Sequence, residues 1–196
     1  VEPYACSKHC VDRAQITNED VVVISGAGTL GLGMVTYARM KNPAKLIVLD
    51  MMDSRLEKAK EFGADLVWNP SKMDVAAEIM KLTDGYGCDI YIEATGHPSS
   101  VTQGMNMTRK LGRFVEFSVF GAPTTLDWSV IGDGKELDVL GSHLSPYCFP
   151  FVIEHIHDGS LKTDGMITQT FALEDWEKAF DYATGKYGHF KIAFVF

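Results

Sequence analysis

Short, nearly continuous apolar runs recur along the chain and alternate with longer stretches whose apolar positions are spaced three and four apart. The runs Val21-Val22-Val23-Ile24-Ser25, Lys45 to Asp50, Leu66 to Trp68, Asp89 to Glu93, Arg113 to Phe117 and Leu137 to Gly141 have the pattern of parallel strands buried on both faces. Helical stretches separate them: the residues up to Met40 after the first run, then 53–62, ended by Gly63, then 74–83 and 98–110. A helix over 4–15 precedes the first strand, and one over 148–158, stopped by Gly159, follows the sixth. Asp84-Gly85-Tyr86-Gly87 reads as a turn, and 121–136 as loop with one helical turn. Six strands alternating with helices predict an α/β fold, a doubly wound six-stranded parallel sheet, because parallel neighbours require crossover connections. Beyond it, Phe171 to Thr184 reads as a helix capped near Leu173-Glu174-Asp175, and Phe190 to Phe196 alternates like an edge strand.

The connection after the first strand carries the chemistry. Gly26-Ala27-Gly28-Thr29-Leu30-Gly31 is G-x-G-x-x-G, placed between a strand and a helix. Gly26 permits the tight turn, Gly28 lets backbone approach a pyrophosphate, and Gly31 lets the helix pack closely on the strand. The amides at the start of that helix, and the positive end of its dipole, favour phosphate. Asp50 ends the second strand, where a carboxylate accepts hydrogen bonds from the adenosine ribose and repels a 2′-phosphate. The expected fold is therefore a Rossmann domain and the expected cofactor NAD rather than NADP. Arg55 is placed to lie over the adenine or to pair with a phosphate; if its charge dominated, NADP would become tolerable.

Composition narrows the picture further. Hydrophobic residues make up 46% of the 196 and charged residues 22%, enough to build a core and to argue against disorder. The net charge is −8 with no Lys/Arg cluster, which argues against nucleic-acid binding. No stretch reaches the roughly 18 apolar residues of a membrane span, and no signal peptide is visible. Cys6, Cys10, Cys88 and Cys148 match no disulfide framework, so a reducing, cytoplasmic setting is expected. The opening Val1-Glu2-Pro3, without an initiator Met, suggests the interior of a longer protein.

Val21 to Gly33, Asp50 with Arg55, Phe62-Gly63-Ala64-Asp65, Glu93-Ala94-Thr95-Gly96 and Gly112 to Phe120 together resemble the medium-chain dehydrogenase/reductase superfamily. Within it the chain is similar to the zinc-dependent polyol branch of sorbitol (L-iditol) dehydrogenases. Asp84-Gly85-Tyr86-Gly87, Gly96-His97-Pro98-Ser99 and Asp127-Trp128-Ser129 most resemble its erythritol/threitol dehydrogenases. The resemblance implies oxidation of a polyol to a ketose by zinc-assisted hydride transfer to NAD in a full-length homo-oligomer, a dimer or tetramer. Residues 1–162 would be the NAD-binding domain, with 1–17 a leading helix from the catalytic domain, and 163–196 would return to that domain. Besides the glycine turn with Thr29, the resemblance implies cofactor contacts from Leu30 beside the pyrophosphate and from Thr95 and Gly96 at the end of the fourth strand. Ser118, Val119 and Phe120 would contact the nicotinamide half, and Ser142, His143 and Leu144 would lie near the carboxamide. The family's Cys and Gly-His-Glu zinc ligands are not here, since Gly96-His97-Pro98 and Gly188-His189-Phe190 lack the Glu. Glu2 alone matches a position that binds the metal or its water in the full enzyme. No catalytic residue is expected in this stretch, which would bind NAD without turnover.

Other patterns weigh less. Cys6-Ser7-Lys8-His9-Cys10 lacks a second ligand pair and reads as structural, and His155 and His157 point apart on their helix. Tyr182-x-x-x-Lys186 mimics a short-chain dehydrogenase pair without its context, and Asp127-Trp128 reads as a loop anchor. The alternatives are a stand-alone NAD-sensing module, an S-adenosylmethionine-dependent methyltransferase and a zinc-free quinone reductase, the last disfavoured by Asp50.

Overall fold

A computed structural model of the chain describes residues 1–184 and 189–196. In chain order the elements are α1 (Glu2–Ala14), β1 (Val21–Ser25), α2 (Thr29–Met40), β2 (Lys45–Leu49), α3 (Asp53–Glu61), β3 (Leu66–Trp68), α4 (Val75–Leu82) and β4 (Cys88–Glu93). They continue as α5 (Pro98–Met107), β5 (Thr108–Glu116), β6 (Asp138–Gly141), α6 (Phe149–His157), β7 (Ile167–Ala172), α7 (Trp176–Thr184) and β8 (Lys191–Val195). Single 3-10 turns lie at Trp128–Val130 and Leu173–Asp175. The six predicted strands form one sheet in the order β3-β2-β1-β4-β5-β6, every neighbouring pair parallel. The order reverses between β1 and β4, the switch point outside whose strand ends an open α/β sheet binds ligands.

The apolar runs are continuous because the sheet is covered twice. Val22, Ile24, Leu46, Val48, Ile90 and Ile92 face one layer with Tyr4 and Val11 of α1, Leu32 of α2 and Val152 of α6. The residues between them, Val23, Ile47 and Tyr91, face the other with Val75 and Ile79 of α4 and Met105 of α5. Each such side chain contributes about 1.5–3 kcal/mol when taken fully out of water. All four cysteines are free and buried, and burial pushes the Cys10 and Cys88 thiols up to about 12. The pair Cys6 and Cys10 thus sits in the core, and His155 is occupied stacking on Phe151. No described helix is long and apolar enough to cross a membrane.

Two sequence expectations need correction. The helix expected over 98–110 ends at Met107, and Thr108 already pairs with Cys88 as the first residue of β5. The cause lies 30 residues away. Lys135 Nζ donates to the carbonyls of Met105 (2.8 Å), Asn106 (2.7 Å) and Thr108 (2.6 Å), so a distant ammonium closes the helix. Lys135→Met should lower stability by about 2 kcal/mol and the melting temperature by about 4–8 °C. An unchanged thermal transition would remove Lys135 as the cap.

The helix expected from Phe171 begins only after the 3-10 turn, at Trp176, and Ile167–Ala172 is a strand paired in parallel with β8. Ile167, Thr168 and Thr170 are β-branched and favour extension, but a parallel partner some 24 residues onward leaves no local turn signal. These two strands form their own sheet, apart from the six-stranded one. Lys186 of the Tyr182/Lys186 pattern lies outside the described residues.

Candidate functional site

The crevice lies at the carboxyl ends of the strands, where two cavities share Ala94 and Thr95. The first, about 550 Å³, is lined by Glu2, Cys6, Thr29, Leu30, Gly96, Phe117, Ser118, Val119, Ser142, His143, Leu144 and Lys191, among others. The second, about 470 Å³, is lined by Gly26, Gly28, Asp50, Met52, Arg55, His97, Ser100 and Gln103, among others.

The glycine turn divides its labour. Gly26 has φ +109°, and a Cβ there would meet the Ala94 carbonyl oxygen at 2.6 Å. A Cβ on Gly31 would lie 1.9 Å from the Gly26 carbonyl oxygen, so this residue faces the turn and not the cavities. Gly28, the N-cap of α2, has open space where its Cβ would be. The first backbone bond of α2 runs from Leu32 N to Gly28 O at 2.9 Å. The amides before it therefore lack intrahelical partners, and Gly28, Thr29 and Leu30, which carry amides of this kind, line the cavities.

Asp50 is fixed by its surroundings. Ala27 N donates to Oδ2 at 2.9 Å and Met52 N to Oδ1 at 2.9 Å, and Arg55 Nη1 stands 3.8 Å from Oδ2. One carboxylate thereby ties the glycine turn to the end of β2. It keeps lone pairs available to hydroxyl groups in the second cavity, and Arg55 supplies a cation beside it.

The first cavity sets a few polar groups, Ser118, Ser142, His143, Lys191 and Glu2 with Cys6, among apolar side chains. Ser142 Oγ is buried and meets no hydrogen-bond partner of ordinary geometry among the described residues, although it lies close enough to bear on the Cys10 thiol. The Cys6 thiol donates to Glu2 Oε1 at 3.0 Å, and burial, with the Glu2 carboxylate adding to it, pushes that thiol up to about 11. Among the described residues no three His, Cys, Asp or Glu side chains gather around a common point. They do not fit a zinc ion by themselves.

Most of the residues singled out from the sequence converge here; Gly31 packs on the turn outside both cavities, and one further residue is displaced. Phe120 lies outside both cavities, and Phe117 stands in the wall instead. The strand ends at Glu116, so the loop enters the crevice earlier than expected. Lys191 was not anticipated. Thr29 Oγ1 donates to the Phe190 carbonyl at 2.5 Å, which holds the start of β8 against the glycine turn and carries the lysine into the cavity wall. A lone lysine opening an apolar strand far from any motif gives no sequence signal for this.

Comparison with known proteins agrees with this geometry. A family model described as zinc-binding dehydrogenase matches residues 29–158. The erythritol/L-threitol dehydrogenase of Mycolicibacterium smegmatis is 52% identical over 186 residues, covering 94% of this chain and 51% of that protein. A structure described as a short chain alcohol dehydrogenase from Escherichia coli CFT073, complexed with NADH, superposes with a TM-score of 0.88 at 30% identity, over 97% of this chain and 56% of that one. A zinc-binding dehydrogenase from Sinorhizobium meliloti 1021 bound to NADP gives 0.89 at 28%, over 97% and 56%. The chain spans about half the length of the curated relatives it matches.

Proposed function

The chain belongs to the zinc-binding dehydrogenase family, and on that premise we propose that it binds NAD and serves the oxidation of a polyol to a ketose in the complete protein. The carrying observation is the start of α2, where Gly28 leaves open space next to amides without intrahelical partners, beside a carboxylate fixed at the end of the neighbouring strand. The amides before Leu32 take the diphosphate, and Lys191, held beside them through Phe190, adds a positive charge. Asp50 takes the adenosine ribose hydroxyls, and the buried Ser142 hydroxyl, otherwise short of a partner, fits the carboxamide side.

When bound, the nicotinamide supplies the acceptor for the hydride that leaves a secondary alcohol as a ketone forms. The chain's part is to fix that ring against the wall of Ser118, Val119 and Leu144, and to present the Glu2 carboxylate at the rim. Further metal ligands would come from outside the described residues. Polyol chemistry follows the 52% relative, and the chain alone is expected to bind the dinucleotide without turnover. We assign β7, α7 and β8 to the catalytic part of the complete protein, and the β6 edge to contact between subunits of a homo-oligomer.

Calorimetry tests the reading directly. NADH is expected to bind at least about tenfold more tightly than NADPH, because a 2′-phosphate would face Asp50. S-adenosylmethionine is expected to leave the melting temperature unchanged. Equal dissociation constants would overturn the role of Asp50, and stabilisation by S-adenosylmethionine but not NADH would overturn the function.

A further inference from the structure

Glu93, the last residue of β4, stands at the switch point with no exposed surface, in a place where an acid is costly. Its carboxylate is satisfied at short range. Thr95 N donates to Oε1 at 2.9 Å, Thr95 Oγ1 to the same oxygen at 2.5 Å, and Gly96 N to Oε2 at 3.2 Å. All three donors belong to the turn that follows the strand. That turn is the partition between the two cavities: Ala94 and Thr95 line both, whereas Gly96 lines only the one holding Ser118, Val119 and Ser142. It is tightly wedged. The Ala94 carbonyl oxygen sits 2.6 Å from where a Cβ of Gly26 would be, and Gly96, at φ +71°, would put a Cβ 2.8 Å from the Val119 carbonyl oxygen.

We propose that Glu93 is a positioning residue for the nicotinamide half of the bound dinucleotide, acting through the turn Ala94-Thr95-Gly96. The inference rests on the reading of the crevice as an NAD site. The carboxylate gathers the two amides and the hydroxyl, and so presses Gly96 against Val119 and sets the width of the first cavity. The adenosine half takes its grip from Asp50 and the opening of α2, which Glu93 does not touch. A second acid lies beside it across the sheet. Glu116 is paired with Glu93 in register, and burial together with the Glu93 charge holds its carboxyl above the ordinary range.

The test compares two ligands on the full chain. In Glu93→Gln the amide group faces an N–H donor and at least one bond is lost, so NADH affinity should fall about 10-fold or more while AMP affinity stays within about threefold. The fluorescence of bound NADH should shift toward that of the free form, which a merely structural role would not require. Thr95→Val, which removes one donor and spares the buried acid, should show the same split at about threefold for NADH, and it keeps the proposal open to refutation if Glu93→Gln does not fold. Equal losses for NADH and AMP, or no loss in either variant, would overturn the role of Glu93 while leaving the site intact. Failure of the unsubstituted chain to bind NADH would overturn both readings.

Discussion

Gly31→Ala is expected to abolish dinucleotide binding and to destabilise the chain together. Alanine favours helix over glycine by up to about 1 kcal/mol, so the sign rests on the contact. A Cβ would stand 1.9 Å from the Gly26 carbonyl oxygen and 2.8 Å from its carbon, both backbone atoms that no rotamer change can move. The start of α2 must retreat from the turn, at an overpacking cost of about 3 kcal/mol that leaves a net loss near 2 kcal/mol. The retreat withdraws the amides from the diphosphate. Losing two charge-assisted bonds corresponds to an affinity drop of at least about 100-fold, read by calorimetry with NADH. Gly28→Ala is the matching contrast. Open space surrounds that position, so stability should change by about 1 kcal/mol or less while binding still falls, because the new methyl occupies ligand space. Wild-type affinity in Gly31→Ala, or equal destabilisation in the two variants, would break the assignment of the turn.

Asp50→Ala should reverse the coenzyme preference. The substitution removes an acceptor from the adenosine ribose and is expected to weaken NADH by about 30-fold or more. It also removes a repulsion of about 2 kcal/mol toward a 2′-phosphate and releases Arg55, which stands 3.8 Å from the carboxylate, to meet that phosphate. NADPH should therefore bind as well as before or better, and the ratio of the two dissociation constants should move by about two orders of magnitude. The bonds from Ala27 N and Met52 N also disappear, so some stability is lost, and the ratio, not either constant alone, is the measurement that decides. An unchanged preference would mean that selection is made elsewhere in the crevice.

The three variants bear on residues that were legible in the sequence, though not all of their contacts were. Gly26, Gly28 and Gly31 carry their roles in their spacing, because a strand-to-helix turn onto phosphate demands small residues at those positions. Asp50 was equally visible at the end of its strand. Its bond to Ala27 N was not, since that contact exists only when β1 and β2 lie side by side. Phe117 and Phe120 differ by where β5 stops, which a continuous apolar run does not mark. Lys191 became a functional candidate through a neighbour, and Glu93, visible in the sequence only as the first residue of Glu93-Ala94-Thr95-Gly96, through the bonds it accepts. The first depends on a bond between residues 29 and 190, the second on the donors that its buried carboxylate gathers from Thr95 and Gly96.

The amino-acid sequence by itself determined the six strands of the sheet, the alternation that makes them parallel, the glycine turn after the first strand and the acid after the second, whereas the exposure of β6, expected to be buried on both faces, was decided by its place at the sheet edge. The former rest on interactions a few residues long: burial period, backbone sterics at glycine and the chain direction a crossover imposes. Tertiary structure alone decided where α5 yields to β5, that Ile167–Ala172 pairs as a strand with Lys191–Val195, and which side chains share the crevice. Those outcomes depend on groups brought together from distant parts of the chain, the Lys135 ammonium on three carbonyls and the Phe190 carbonyl on Thr29 among them. Local propensity carries no term for a partner that only folding supplies.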